Sequence, residues 1–382
     1  MSTPSLIKMI SQLVGTPSVS STMPSRDMGN RPVIDALANW LEPLGFDVKV
    51  MPLKTQPHKA NLIATLGTGT GGLVLAGHTD TVPCDDALWQ SDPFALTERD
   101  NRLYGLGSAD MKGFFAIAIE AIKPLLDSKL KAPVIILATA DEESSMDGAR
   151  ALVKDDLLGA RYAIVGEPTG LKPIYAHKGI MMESIVIEGR SGHSSNPLLG
   201  NNAMEAMHEV ITELLTLRGE LQAKYQHPGF AYPTPTLNLG CIHGGDNPNR
   251  ICGRCELHFD LRTIPGMGNE EMREKISAKL REVALRRQIN IGINALMPGI
   301  DAFEQPLHSE LVTGVQELTK TEPETVSFCT EAPFFQKLGL QTLVMGPGHI
   351  DQAHQPDEFM PLEHIKPSIA LLQQLIKRYC LA

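Results

Sequence analysis

An apolar run, Leu73 to Ala76, stops at Gly77, and His78 and Asp80 follow two residues apart. Such a run reads as a buried strand, so both polar residues stand where a strand gives way to a loop. Metals take neutral imidazole as a ligand, and the second ring nitrogen then needs an acceptor to fix the tautomer. His-x-Asp can supply both. Four further segments place an acid or a histidine where an apolar run stops. They are Gly105-Leu-Gly-Ser-Ala-Asp110-Met-Lys-Gly113, Val134-Ile-Ile-Leu-Ala-Thr-Ala-Asp-Glu142-Glu143, Tyr162-Ala-Ile-Val-Gly-Glu167-Pro-Thr169, and Ala353-His354-Gln-Pro-Asp-Glu358.

Each segment also has an ordinary explanation. His78 and Asp80 fit a solvated turn. Asp110 fits the N-cap of the helix that follows it, and Glu142 and Glu143 fit a helix start, where acids favour the dipole. Glu167 fits a turn before Pro168, and His354 a surface histidine. A metal cluster accounts for all five at once. Imidazole and carboxylate are normal zinc ligands at ~2.0–2.2 Å, and a catalytic site leaves a position for water. Two histidines and three carboxylates give three ligands to each of two metals if one carboxylate bridges. Glu142 is then left over beside Glu143, and a spare carboxylate beside a metal-activated water is the general base a hydrolase needs.

These residues require elements that deliver them to one place. The first half of the chain alternates strand and helix patterns, which predicts an α/β fold, a mixed central sheet with helices on both faces. In open α/β sheets ligands bind beyond the carboxyl ends of the strands. Leu6–Val14 and Val33–Leu44 read as amphipathic helices. Gly67, Gly69 and Gly72 satisfy G-x-G-x-x-G, but a strand follows rather than a helix, so they read as a hairpin joining strands 61–66 and 73–76. From Ile180 the order becomes strand 181–189, helix 203–217, strands 236–242 and 251–262, helix 270–285 and strand 289–295. That βαββαβ order is ferredoxin-like. It predicts an insert spanning 180–296 within a catalytic domain of 1–179 and 297–382, with closing helices near 311–318 and 367–379.

In Gly77-His-Thr-Asp-Thr-Val-Pro83, the Asp110, Glu143 and Glu167 segments, and Ala353-His-Gln-Pro-Asp-Glu358, the chain resembles the dizinc metallopeptidase and deacylase superfamily of aminoacylases, carboxypeptidases and desuccinylases. The resemblance covers nearly the whole chain. Cys329-Thr-Glu-Ala-Pro333 and Asn238-Leu-Gly-Cys-Ile-His-Gly-Gly245 look more like its amino-acid deacetylases than its desuccinylases. The resemblance implies two Zn²⁺ per subunit, with Co²⁺ a plausible substitute, and hydrolysis of a small N-acetylated amino acid. It implies that Asp110 bridges the metals, His78 and Glu167 complete one site, and Glu143 and His354 complete the other. Asp80 orients His78, Glu142 is the general base and later proton donor, and the Asp110–Met111 peptide is cis. In such enzymes the insert forms a homodimer. His193 then stabilises the oxyanion at the partner subunit's metals, and Asn249 and Arg250 bind the substrate α-carboxylate. Arg suits that role because its planar fork matches a carboxylate. Glu331 is a candidate partner for a substrate side-chain ammonium, or an ordinary surface acid.

Composition narrows the partners. Across 382 residues there are 34 Lys and Arg against 44 Asp and Glu, a formal charge of −10. With no long basic block, nucleic acid and anionic membrane are not expected partners. No 18-residue apolar run suggests a membrane span, and the N-terminus has no signal-peptide pattern, so the expected location is cytoplasmic. The six cysteines read as free thiols. Cys252 and Cys255 lack a second Cys-x-x-Cys, and an unbroken strand would point them to opposite faces. Gly189-Arg-Ser-Gly-His193 fails as a nucleophile elbow at its last position.

Overall fold

The computed structural model describes residues 3–382. They form two compact units, one of residues up to Tyr175 with Gln305–Glu324 and Thr330–Ala382, the other of Ala176–Glu304 with Thr325–Cys329. The second unit extends past the insert read from the sequence because Phe303 and Glu304 pair with His177 and Ala176 at its neck.

The sheet of the first unit runs Asp47–Pro52, Ala60–Leu66, Val134–Thr139, Gly72–His78, Ala160–Pro168, Gln341–Gly346. The first two pairings are antiparallel and the remaining three parallel. The Val134–Thr139 and Gly72–His78 strands are buried at every position, as expected where both faces of a parallel sheet are covered. Helix Lys112–Ile122 packs against Leu6–Val14 and Leu362–Cys380, and Arg31–Leu41 packs on Ala60–Leu66. Met9, Ile10, Leu13 and Val14 form the buried stripe of the first helix.

Three local readings change. The glycine-rich segment is not a hairpin, because Val134–Thr139 lies between Ala60–Leu66 and Gly72–His78 and pairs with both. The helix read at 33–44 becomes an α-helix, Arg31–Leu41, followed by a 3₁₀ turn, Glu42–Leu44. Pro43 lacks the N–H that would continue the α-helix. The last helix starts at Leu362 rather than Pro367, its leading turn held by a bond from Leu362 N–H to the Asn101 carbonyl at 3.0 Å.

In the second unit the strand order is Thr236–Gly244, Arg254–Arg262, Met181–Glu188, Asn290–Ala295, all antiparallel. With helices Ala203–Lys224 and Asn269–Arg287 this is the ferredoxin-like arrangement. One face of its central strand buries Cys255, Leu257, Phe259 and Leu261. The strand begins at Arg254, so Cys252 precedes it and is buried too, and the alternation expected for an unbroken strand does not apply. Both are free thiols. No helix of the described residues is long and apolar enough to cross a membrane.

Candidate metal centre

Four parallel strands end on one side of the first unit's sheet, at His78, Thr139, Pro168 and Gly346. That side receives His78 directly, Asp80 two residues on, Glu142 and Glu143 from the turn after Thr139, Glu167 from the last residues of its strand, and His354 from the segment after Gly346. A bond from Thr79 N–H to the Thr139 carbonyl at 3.0 Å ties two of the strand ends together. A Cβ at Gly77 would meet the end of the Met111 side chain, which would have to shift to admit any larger residue just before the histidine.

Asp110 stands at the centre. Its Oδ1 lies 3.1 Å from His78 Nε2, and its Oδ2 lies 3.7 Å from His354 Nε2. One carboxylate therefore offers an oxygen to each histidine. Glu167 Oε1 is 3.9 Å from His78 Nε2, and Glu143 Oε2 is 2.9 Å from His354 Nε2. The acids thus sort into a His78–Glu167 side and a His354–Glu143 side, with Asp110 shared.

Among the described residues, His78, Asp110 and Glu143 each offer a ligand atom within 4.8 Å of the others. The donor set fits a cation on a second count. Glu167 Oε1 is buried without a hydrogen-bond partner, and an unpartnered buried carboxylate oxygen is costly unless a cation meets it.

Asp80 acts differently from a simple His-carboxylate pair. His78 Nδ1 is 3.0 Å from the main-chain carbonyl of Asp80 and 3.6 Å from its carboxylate. The carboxylate accepts the N–H groups of Glu142 (3.2 Å) and Glu143 (3.0 Å). One residue thereby orients the imidazole and the two-glutamate turn together.

The electrostatics follow from crowding. Burial alone would lower His78, but the Asp110 hydrogen bond and the charges of Glu167, Asp80 and Glu142 hold it well above the usual histidine range. Burial raises Glu142, and the carboxylates of Glu167, Glu143 and Glu331 add to the rise against the opposing charge of His78. Burial likewise raises Glu167. The bond to Glu143 lifts His354 to about 9. A bound cation relieves this repulsion and keeps both imidazoles neutral, the form in which they ligate.

Asp110 reaches its place on the loop 105–111, whose last peptide bond, Asp110–Met111, is cis. Asp110 is not a helix cap, since the following helix starts at Lys112 after Met111. The loop is held by Glu358, which the sequence reading passed over. Its carboxylate accepts the N–H groups of Gly107 (3.0 Å), Ala109 (2.8 Å) and Asp110 (2.9 Å). Orienting partners of ligands typically matter by ~10–100-fold in metal affinity. Glu358→Gln is expected to weaken metal binding by about that factor, read by competition with a chromophoric chelator. Unchanged affinity would mean that the loop holds itself.

Glu331 is not a surface acid. It is fully buried beside the cluster, with its carboxylate against the Thr139 side chain and near the His78 and Asp80 charges. Burial pushes it up to about 7.

His193, Asn249 and Arg250 lie in the second unit. There they come together: His193 pairs with Arg250 in an isolated bridge, and Ser194 N–H donates to the Asn249 carbonyl at 3.0 Å. His193 Nδ1 faces Ser195, with the N–H of that residue at 3.2 Å and its Oγ at 2.7 Å. Arg250 pairs with Asp246 at 2.6 Å and lines a cavity of about 370 Å³ with Ser191, His243 and Arg254.

Residues 74–378 match the family model described as peptidase family M20/M25/M40. An acetylornithine deacetylase of Proteus mirabilis (strain HI4320) is 49% identical over 379 residues, covering 99% of this chain and 98% of that protein. Solved structures share the fold. An M20 family metallo-carboxypeptidase from Sulfolobus solfataricus superposes with a TM-score of 0.75 at 20% identity, covering 98% of this chain and 99% of that one. A dinuclear metal-binding peptidase of the M20 family from Bacillus subtilis superposes with a TM-score of 0.68 at 16% identity, covering 98% of each chain.

Proposed function

We infer that the chain, a member of peptidase family M20/M25/M40, hydrolyses N²-acetyl-L-ornithine to L-ornithine and acetate, a step of arginine biosynthesis in the cytoplasm. The acetylornithine deacetylases that match this chain end to end support the substrate. The observation that carries the chemistry is Asp110, whose two oxygens face two histidines beside an additional glutamate.

His78, Asp110 and Glu167 hold one cation, and Asp110, Glu143 and His354 the other. Zinc suits this nitrogen and oxygen set, with Co²⁺ as a substitute. When bound, such a pair polarises a carbonyl and lowers the pKa of water toward ~7.

The protein's own groups do the rest. Glu142 takes the proton of the attacking water and returns it to the leaving amine, and Asp80 holds the Glu142 main chain for that exchange. His193 donates to the oxyanion from the partner subunit of a homodimer formed through the inserted unit. Asn249 and Arg250 fix the α-carboxylate. Glu331 takes the side-chain ammonium, supported by the full burial of its carboxylate beside the cluster.

Amine release from N²-acetyl-L-ornithine, with N-succinyl-diaminopimelate and a panel of N-acyl amino acids in parallel, tests the reading on zinc-loaded protein. Fast release from acetylornithine is expected. Turnover of the succinyl compound alone would replace it with a desuccinylase, and equal rates across the panel with a broad N-acyl-amino-acid deacylase. Glu331→Gln tests the ammonium contact. The preference for acetylornithine over acetylmethionine is expected to fall about 30-fold, equivalent to the ~2 kcal/mol lost when one member of a buried charge pair is truncated. An unchanged preference would mean that Glu331 meets no substrate cation.

A further inference from the structure

We propose that Lys59 is a positioning residue for the two-glutamate turn, acting on Glu142 and Glu143 through the Asp141 carboxylate. The inference rests on the metal-dependent reading of the site and adds a residue to it.

Three observations carry it. First, Asp141 takes up a left-handed backbone conformation (φ 61°) at the point where the chain leaves the Val134–Thr139 strand and presents Glu142 and Glu143. A non-glycine residue holds that conformation when its surroundings over-determine it. Second, the surroundings are built for it. Asp141 Oδ1 accepts Lys59 Nζ at 2.6 Å and Ser20 Oγ at 2.8 Å, and Ser20 Oγ also lies 2.5 Å from Ser144 Oγ on the same turn. Third, the ammonium is itself clamped. Lys59 Nζ donates to Asp27 Oδ1 at 2.8 Å, and its side chain and that of Asp141 are 4% and 1% exposed.

The turn is therefore gripped from two sides. Asp80 holds the N–H groups of Glu142 and Glu143. Lys59 and Ser20 hold the Asp141 side chain on the preceding residue. With only the Asp80 side in place, rotation about the Asp141 backbone moves the base and the Glu143 ligand together. Asp141 Oδ2 is buried without a hydrogen-bond partner, so the grip on this carboxylate runs through Oδ1.

Lys59→Met, Lys59→Arg and Ser20→Ala separate this role from a merely structural one. Metal affinity is read by chelator competition on the metal-free protein, alongside kcat and KM. Lys59→Met is expected to weaken metal binding about 10–100-fold and to lower kcat with KM nearly unchanged, and Lys59→Arg to recover most of both. A Lys59→Met protein that melts earlier yet keeps wild-type metal affinity and kcat would overturn the proposal. If Lys59→Met does not fold, Ser20→Ala decides. It removes the second bond to the same Asp141 oxygen and is expected to lower affinity and kcat about 10-fold, of the order of one lost hydrogen bond to a charged group. No change in either would overturn the proposal. The affinity measurement needs no substrate, so a wrong substrate assignment leaves this test intact.

Discussion

Glu142→Gln is expected to keep its metals and lose turnover by a factor of ~10²–10⁴, the range that a positioned general acid–base group supplies. The amide matches the carboxylate in size and preserves the main-chain bond from Glu142 N–H to Asp80. It cannot accept a proton. Glu167 and His354, not Glu142, stand beside the oxygens and nitrogens that flank Asp110, so metal content measured by atomic absorption should equal that of the wild type. The loss should fall on kcat, with KM nearly constant, because a proton acceptor acts in the transition state rather than in substrate binding. Glu143→Gln provides the contrast, since it removes a histidine partner (2.9 Å from His354) and should lower metal affinity first. Near-wild-type kcat in Glu142→Gln would remove Glu142 from the mechanism. Loss of metal in that variant would make it a ligand instead.

His78, Glu143 and Glu167 were legible because each lies at or just beyond the end of a buried strand, and Asp110 and His354 because they stand in short loops beside such ends. A buried strand must stop at a loop, and in a parallel sheet those loops gather on one side. His78, Asp110, Glu143, Glu167 and His354 needed no knowledge of strand order to be grouped. What pairs with what was less legible. The Gly67–Gly72 segment reads locally as a hairpin, yet Val134–Thr139 intervenes between its flanking strands. No local pattern announces a strand inserted from about 60 residues away. Supporting contacts were hidden for the same reason. Glu358 reaches Asp110 across a sequence separation of 248, and Lys59 reaches Asp141 across 82. Lys112, at the start of a helix, is wholly buried with its ammonium on the Thr16 carbonyl at 3.0 Å. Polar residues that serve other polar residues carry no periodic signature, so the chemistry shows before its scaffolding does.

Removing the metal should abolish turnover and also change how stability depends on pH. The first unit buries Asp80, Asp110, Glu167, Glu331 and Glu358 around one centre. Without a cation, burial raises Asp80, Glu167, Glu331 and Glu358 so that they hold protons to higher pH, while at Asp110 burial is outweighed by the contacts with His78, which keep it low. Glu331 shows the sign. Burial raises it from 4.5 to about 7, so between those values the folded chain binds more protons than the unfolded chain. Stability then falls as pH rises through that window, because the slope follows the difference in bound protons. The metal-free protein is therefore expected to melt at progressively lower temperature from about pH 5 to pH 7, the window set by Glu331. Zinc at a thousandfold excess over its dissociation constant adds about 4 kcal/mol, or roughly 10 °C in a unit of this size. That gain should be larger at pH 7 than at pH 5, because at the lower pH protons compete for the same oxygens. Scanning calorimetry of stripped and reloaded protein at both pH values measures it, and activity assayed on the same samples should vanish with the metal and return with zinc. Stripped protein that still turns over substrate, its metal content verified as nil, would refute a metal-dependent reaction. A melting temperature insensitive to zinc at both pH values would refute binding at this cluster.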